Sequence, residues 1–403
     1  MKKLVKMKIL MVLESEFPPD VRVENEMVAL TEAGHEVHIA CSTRKNLPEY
    51  DLLGKIIIHR KAMSSFIYKS SVGCLKFPFY FRFWRNFLFA ICSNERFDVI
   101  HINDLPLSKI GVEIKRKFHA FLVIDLHENW PALLKSAAHT QTVAGRLLSS
   151  NKQWVEYERK MLPEADKVIT IIEEARERVI SLGVDPDKIT MVSNTINYEN
   201  LKIKETVKDK DFFTIFYGGA INRHRGLQLV LEAVRICVIK NMKVRLWIVG
   251  DGSYRKELER ISGEMNIASH VKFWGHKPFN EMLEILAEAD AALIPHIRNE
   301  NNDASSPNKL YQYMYLNIPI ISSDCTSLKR IINETHTGFI YKDNSPKELS
   351  LLLEKLYKNR LILEEVTGNG RKAVLEKYNW NIDKMRLVGA YSELFLNNIM
   401  RSQ

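Results

Sequence analysis

The stretch Ser305-Ser306-Pro307-Asn308-Lys309-Leu310-Tyr311-Gln312-Tyr313-Met314, followed by Leu316-Asn317-Ile318-Pro319-Ile320-Ile321, reads as a loop, a short helix and a buried strand. Ser306 suits the N-cap and Pro307 the first helical position, where a missing N–H costs nothing. Leu310, Tyr313 and Met314 share one apolar face, and Asn317 with Pro319 stops the helix. The start of such a helix carries unpaired N–H groups and a partial positive charge of roughly half a unit, which favours an anion. Lys309 adds positive charge at that positive end, a conflict that a bound phosphate removes. An ordinary capped crossover between strands accounts for the same residues without any ligand.

Outward from this stretch, strand and helix patterns alternate along the whole chain, which argues for parallel sheets covered on both faces. The apolar runs of the first half are Ile9 to Leu13, Val37 to Ala40, Val99 to Ile102, Phe121 to Ile124, Val168 to Ile171 and Ile189 to Val192. A helix from about Val21 lies between the first two, with Asp20 as N-cap, an inner stripe of Val23, Met27 and Leu30, and Gly34 at its end. The polar stretch Asn194 to Asp211 reads as a linker. A second set follows: Phe213 to Tyr217, Val244 to Val249, Val271 to Trp274, Ala291 to Ile294, Ile318 to Ile321 and Gly338 to Tyr341. A chain of 403 residues is too long for one core, and two α/β domains of about 200 residues each fit it.

Hydrophobic content of 46% and charged content of 27% are those of a soluble globular protein. The start Met1-Lys2-Lys3-Leu4 imitates a signal peptide, but the apolar run Ile9 to Leu13 is too short for one and meets Glu14. Five scattered cysteines without metal-ligand spacing fit a reducing compartment. A formal charge of +9 favours anionic partners. The basic residues form no long run and no nucleic-acid motif is present, so no nucleic-acid partner is expected. Phe77 to Ile91 is dense in aromatics and carries Arg82 and Arg85, too short and too charged to span a bilayer. It fits either an interfacial helix touching anionic lipid or a buried helix beside a cleft.

In open α/β sheets ligands bind beyond the carboxyl ends of the strands, so the loops after each strand hold the candidates. The loop Gly218-Gly219-Ala220-Ile221-Asn222-Arg223-His224-Arg225-Gly226 is glycine-rich and ends in basic residues. A guanidinium there can grip a diphosphate with two prongs, or simply sit on a solvated basic turn. Gly250-Asp251-Gly252-Ser253 is a turn after the next strand. Val123-Ile124-Asp125-Leu126-His127-Glu128-Asn129 ends a buried strand in a polar cluster, which suits a ligand site or a capped strand end with a structural histidine. His101-Ile102-Asn103-Asp104 has a similar place after the preceding strand. Asp20 and Arg22, in Phe17-Pro18-Pro19-Asp20-Val21-Arg22, are candidates for ligand contacts, or for a salt bridge between domains.

In order and spacing these segments resemble glycosyltransferase family 4, whose members adopt the two-domain GT-B fold. There a Ser-Pro-Asn-Lys-Leu-type run precedes Glu-Tyr-Met and a Gly-x-Pro stop, here Asn317-Ile318-Pro319. The likeness runs from the strand near Ile9 to the last helix and is strongest between residues 213 and 341. It implies a doubly wound, Rossmann-like acceptor-side domain over 1–200 and a similar nucleotide-sugar domain over 201–380. A helix over 381–403 is expected to cross back onto the first domain. It places a diphosphate on Ser305, Ser306, Asn308, Lys309 and Leu310, and on Gly218, Gly219, Arg223 and Arg225. Arg225 stands where the family has Lys, and Arg223 substitutes for an Arg that relatives carry earlier in the loop. Gly250, Asp251 and Gly252 border the nucleotide, and His276-Lys277-Pro278 lies against the base. His127 faces the transferred sugar, and Glu128 orients it or meets the acceptor.

The chain departs from the family where paired Glu residues contact the sugar and the ribose: those places fall on Ala304 and Gln312. Gln312 can still bond ribose hydroxyls as a neutral group. Asp303, or backbone amides, would have to hold the sugar. The resemblance thus implies a retaining, hexosyltransferase-type glycosyltransferase with catalytic His127, Arg225 and Lys309. Its donor is a nucleoside-diphosphate sugar and its acceptor a glycan or lipid-linked hydroxyl. No cofactor and no metal are expected. The expected location is cytoplasmic, with peripheral contact at an anionic membrane. A sugar-nucleotide epimerase of the same fold and a nucleotide-binding scaffold with a decayed site are the alternatives. The absence of a Gly-x-Gly-x-x-Gly after the first strand argues against a dinucleotide dehydrogenase.

Overall fold

The computed structural model describes residues 6–45, 47–136, 140, 142–199, 201, 208–209 and 211–401. The chain divides into two compact units, one of Met1–Ser193 with Asp383–Gln403 and one of Asn194–Ile382. Residues 200, 202–207 and 210 of the expected linker lie outside the described residues.

The first unit holds an eight-stranded sheet in the order β3-β4-β2-β1-β5-β6-β7-β8. Its strands are β1 (Lys8–Leu13), β2 (Glu36–Thr43), β3 (Tyr50–Leu53), β4 (Ile56–Ala62), β5 (Val99–Asn103), β6 (Phe121–Leu126), β7 (Lys167–Thr170) and β8 (Ile189–Met191). Every pairing is parallel except β3 with β4. The order reverses direction between β1 and β5, so the loops after β1, β5 and β6 gather at one switch point. The helix Val21–Glu32 is capped as its sequence requires: Asp20 accepts from the Val23 amide, and Val23, Met27 and Leu30 are fully buried. Gly34, at φ 93°, ends that turn.

The hairpin β3–β4 was not expected. Tyr50 and Leu52 on the antiparallel edge strand are exposed, and the run His59-Arg60-Lys61 reads as polar. Yet β4 is an inner strand, and burial of Arg60 is met by bonds to the carbonyls of Phe17 and Pro48 and to Asp51 at 3.0 Å. Local pattern fails there because polar partners, not apolar alternation, satisfy the strand.

Of the two readings of the aromatic segment, the buried helix holds. The helix Phe79–Asn94 turns Tyr80, Phe81, Trp84, Phe87, Leu88, Ile91 and Cys92 into the core, so packing accounts for most of its aromatic content. Phe77 and Phe79 at its start stay exposed. Among the described residues no helix is long and apolar enough to cross a membrane. All five cysteines are free and buried.

The second unit holds a six-stranded, wholly parallel sheet in the order β11-β10-β9-β12-β13-β14. Its strands are β9 (Phe213–Gly218), β10 (Val244–Val249), β11 (Val271–Gly275), β12 (Ala291–Ile294), β13 (Ile320–Ser323) and β14 (Gly338–Tyr341). Each overlaps an apolar run of the sequence, and the inner strands β9, β10, β12 and β13 are buried almost throughout. The order reverses between β9 and β12, which sets a crevice beyond their carboxyl ends.

Candidate functional site

Beyond β9 the chain doubles back through Gly218 and Gly219, the latter at φ 134°. A Cβ on Gly219 would stand 2.8 Å from Nζ of Lys309, and one on Gly250 (φ 135°) would stand 2.0 Å from the Gly219 carbonyl oxygen. Two backbones thus approach as closely as glycine allows, and Lys309 reaches over the bare Cα of one of them. Its ammonium lies 4.0 Å from the centre of the Tyr217 ring, and the Tyr217 hydroxyl donates to the Ala220 carbonyl at 2.8 Å, bracing the loop.

Arg225 sits on the short 3-10 turn Arg223–Arg225. It donates through Nη1 to Nε2 of His296 at 3.0 Å. Burial, then Arg225, Lys309 and His224, hold His296 well below the usual imidazole range, so it is neutral and accepts. The His296 carbonyl in turn accepts from the Ser323 hydroxyl at 2.6 Å. Burial and the charge of Arg225 push Lys309 well below the ordinary lysine range, and no acid opposes them. Two cations near enough to repel one another, with no carboxylate paired to either among the described residues, make an anion site in electrostatic terms.

The helix Asn308–Tyr315 points its first turn here. Its N-cap position is Pro307, not Ser306, and no side chain caps it. Ser306 is buried and its hydroxyl accepts from the Tyr311 hydroxyl at 3.0 Å. That bond holds the loop and takes Ser306 out of the capping role read from sequence. The amides of Asn308 and Lys309 meet no acceptor among the described residues. The Leu310 amide donates to the Pro307 carbonyl at 2.9 Å and its side chain is core, so Leu310 leaves the binding set.

Other expected donors are also spoken for. Gly218 donates to the Tyr313 hydroxyl, Gly219 to Val249, Gly250 to Gly275 and Gly252 to the Asp251 carboxylate. These four shape the pocket by close approach and offer it no amide. Asp251 also lies 3.5 Å from Arg255. Arg223 is exposed, near Glu257. Asp303, expected to hold the sugar, instead receives the Arg298 guanidinium at 3.1 Å and the Thr326 amide at 2.8 Å. It anchors the next helix, Thr326–Thr335. The Ser305 carbonyl accepts from Ser327. Gln312 is half-buried on the same helix as Lys309.

The first unit carries a separate polar cluster at its own switch point. The buried Arg22 guanidinium donates to both oxygens of Asp125 at 2.9 Å, lies 3.0 Å from Glu26 and donates to the Val192 carbonyl at 3.1 Å. All of this lies within one unit, so the salt bridge between domains expected for Arg22 is not what it forms. Asp20 is the helix cap. His127 Nε2 lies 3.1 Å from Asp125 and its Nδ1 3.6 Å from Asp104. Burial disfavours the imidazolium, but Asp104 and Asp125 together outweigh it and lift His127 to about 9. Burial likewise opposes the Asp125 charge, yet Arg22, His127 and His101 hold it well below the carboxylate range. Burial pushes Glu26 above the ordinary carboxylate range, against the pull of Arg22. His101 Nδ1 pairs with the Tyr391 hydroxyl at 2.7 Å.

Sequence reading missed His296, Glu26 and Tyr391. Glu26 had a signal, one helical turn after Arg22. Tyr391 had none, being 290 residues from His101.

Two family models match the chain: Glycosyltransferase Family 4 over residues 20–200 and Glycosyl transferases group 1 over residues 199–373. The chain belongs to the family 4 glycosyltransferases of GT-B fold. Glycosyltransferase MJ1607 of Methanocaldococcus jannaschii is 22% identical over 381 residues, 90% of each chain. The amylovoran biosynthesis glycosyltransferase AmsK of Erwinia amylovora is 23% identical over 210 residues, 51% of each chain. Sucrose-phosphate synthase of Thermosynechococcus elongatus shares the fold at a TM-score of 0.77 and 15% identity, covering 97% of this chain and 100% of that one. Anabaena HepE, solved in complex with UDP, does so at 0.69 and 14%, covering 96% and 100%.

Proposed function

We propose that this glycosyltransferase moves a hexose, with retention, from a nucleoside-diphosphate sugar to an acceptor hydroxyl in polysaccharide or glycolipid assembly. The observation that carries the reading is Lys309: its ammonium lies beside Arg225, over Tyr217 and Gly219, with no acid to pair with. A diphosphate supplies the missing anion, and the Asn308 and Lys309 amides add two donors. HepE binds UDP in a chain of the same fold. AmsK is named for the biosynthesis of amylovoran.

Breaking the donor bond builds positive charge on the sugar and negative charge on the departing diphosphate. Arg225 and Lys309 stabilise that negative charge without a metal, and neutral His296 keeps Arg225 aimed. The departing phosphate oxygen takes the acceptor proton on the face it leaves, which preserves configuration and spares an enzymic base. His127, an imidazolium held by Asp104 and Asp125, is a donor for sugar or acceptor hydroxyls. A cytoplasmic protein touching an anionic membrane through the exposed Phe66, Phe77 and Phe79 completes the reading.

The test is a panel of sugar nucleotides assayed with and without acceptor, with the product anomer read by NMR. Lys309→Ala and Arg225→Ala should bind UDP weakly and transfer nothing. Wild-type turnover in both variants, or an inverted anomer, overturns the proposal. Donor turnover without acceptor and without hydrolysis would indicate an epimerase.

A further inference from the structure

His38 on β2, His59 on β4 and Glu95 at the end of the helix Phe79–Asn94 converge near the amino ends of the first sheet's strands. The loops that carry His127 are at the opposite, carboxyl ends. One ligand-capable atom from each residue lies within 4.8 Å of the others. We propose that these three side chains form a structural site for a borderline divalent metal ion, zinc foremost, separate from the sugar-nucleotide pocket.

The donor set is what such an ion takes: two imidazoles and a carboxylate, with the fourth position left for water. His38 Nδ1 and His59 Nε2 are 2.9 Å apart, and His38 Nδ1 is 3.6 Å from Oε2 of Glu95. The outer groups fit as well. Glu36 Oε1 accepts from Nε2 of His38 at 3.3 Å, which fixes the proton there and leaves Nδ1 as a lone pair. A carboxylate behind a ligating histidine orients the ring and raises its basicity in known metal sites.

The carboxylates around the site are already engaged by two lysines. Lys6 and Lys8 pair with the Glu36 carboxylate at 3.1 and 2.6 Å. Lys8 pairs with Oε1 of Glu95 and leaves Oε2 turned to the histidines. With His38 Nδ1 left as a lone pair, His59 Nε2 donates to it at 2.9 Å, so a metal takes the His38 lone pair directly and that of His59 once its proton moves to Nδ1. His59 Nδ1 is buried without a partner, so its ring gains nothing from the protein on that side. Tyr50 and Phe97 pack edge-on against His59 and His38 and hold the rings in place. Glu95 is 38% exposed, which leaves an entry path.

A metal here would tie β2, β4 and the aromatic helix together. That is where the hairpin β3–β4 presents its exposed edge. In the metal-free protein the hydrogen bond between the two histidines joins β2 and β4 alone.

The experiment uses the full chain, dialysed against chelator. Zinc should bind at one equivalent by calorimetry and raise the melting temperature, and cobalt should give the visible absorption of a four-coordinate site. Glu95→Gln, a partly exposed change, and His59→Gln should abolish saturable binding. Glu36→Gln should weaken it about ten- to a hundred-fold. UDP binding should be unchanged by chelator. Absence of one-equivalent binding overturns the proposal, and so does wild-type affinity in Glu95→Gln.

Discussion

Lys309→Met separates the electrostatic account of the pocket from a packing account. Methionine keeps the stem over Tyr217 and Gly219 and removes only the charge. In the free protein that charge is a burden: burial and Arg225 both oppose it, and no carboxylate answers. Removing it should stabilise the second unit by about 1 kcal/mol, or about 2–4 °C in a unit of this size. In the reacting complex the same charge meets the departing diphosphate. Losing one preorganised donor at such a centre costs about 3–4 kcal/mol, a hundred- to a thousand-fold fall in kcat. The assay pairs a melting curve with single-turnover transfer from the preferred sugar nucleotide. The expected outcome is a hotter, inactive protein whose UDP affinity has fallen. A variant that melts lower while keeping kcat within threefold of wild type would refute the reasoning, since Lys309 would then be a structural stem bound to the Tyr217 ring.

Four further outcomes follow from the geometry. Arg22→Met leaves Asp125 buried without its counterion and should cost about 3–5 kcal/mol in urea unfolding; a loss under about 1 kcal/mol contradicts the account of that cluster. Gly250→Ala forces a Cβ to 2.0 Å from the Gly219 oxygen at a φ that alanine resists, so UDP binding should fall together with stability, and normal binding would place the pocket elsewhere. His127 at about 9, against an ordinary 6.5 in the unfolded chain, contributes about 3 kcal/mol. Because the folded value is the higher one, that contribution is complete below pH 6.5 and is lost as pH rises through 9. The stability difference between wild type and His127→Gln should shrink across that window, and a flat difference would show that His127 carries no charge. Gln312→Glu should keep or raise donor affinity, and a large loss would remove Gln312 from the ribose.

Much of the fold was legible because parallel strands buried on both faces are short, continuous apolar runs. β9 and β10 announce themselves this way, and Asp20 announces the helix after β1. The hairpin β3–β4 was not legible, since its inner strand is held by Arg60 and two histidines whose partners lie elsewhere in the chain. At the site, Arg225, Lys309 and the helix start were readable from charge and spacing. Two errors there share one cause. Ser306 looks like a cap and Asp303 like a sugar ligand, but the Tyr311 hydroxyl and the Arg298 guanidinium claim them.

By itself, then, the sequence determined the two alternating α/β halves, their glycine-rich turns and the basic helix start, because these depend on local periodicity and backbone chemistry. Only the tertiary structure decided which polar groups are free and which are satisfied. It used up the amides of Gly218, Gly219, Gly250 and Gly252, left Lys309 without an acid, and brought Tyr391 to His101 and His59 to His38. The physical reason is that each buried polar atom must find a partner, and a partner's distance along the chain puts no limit on its nearness in space.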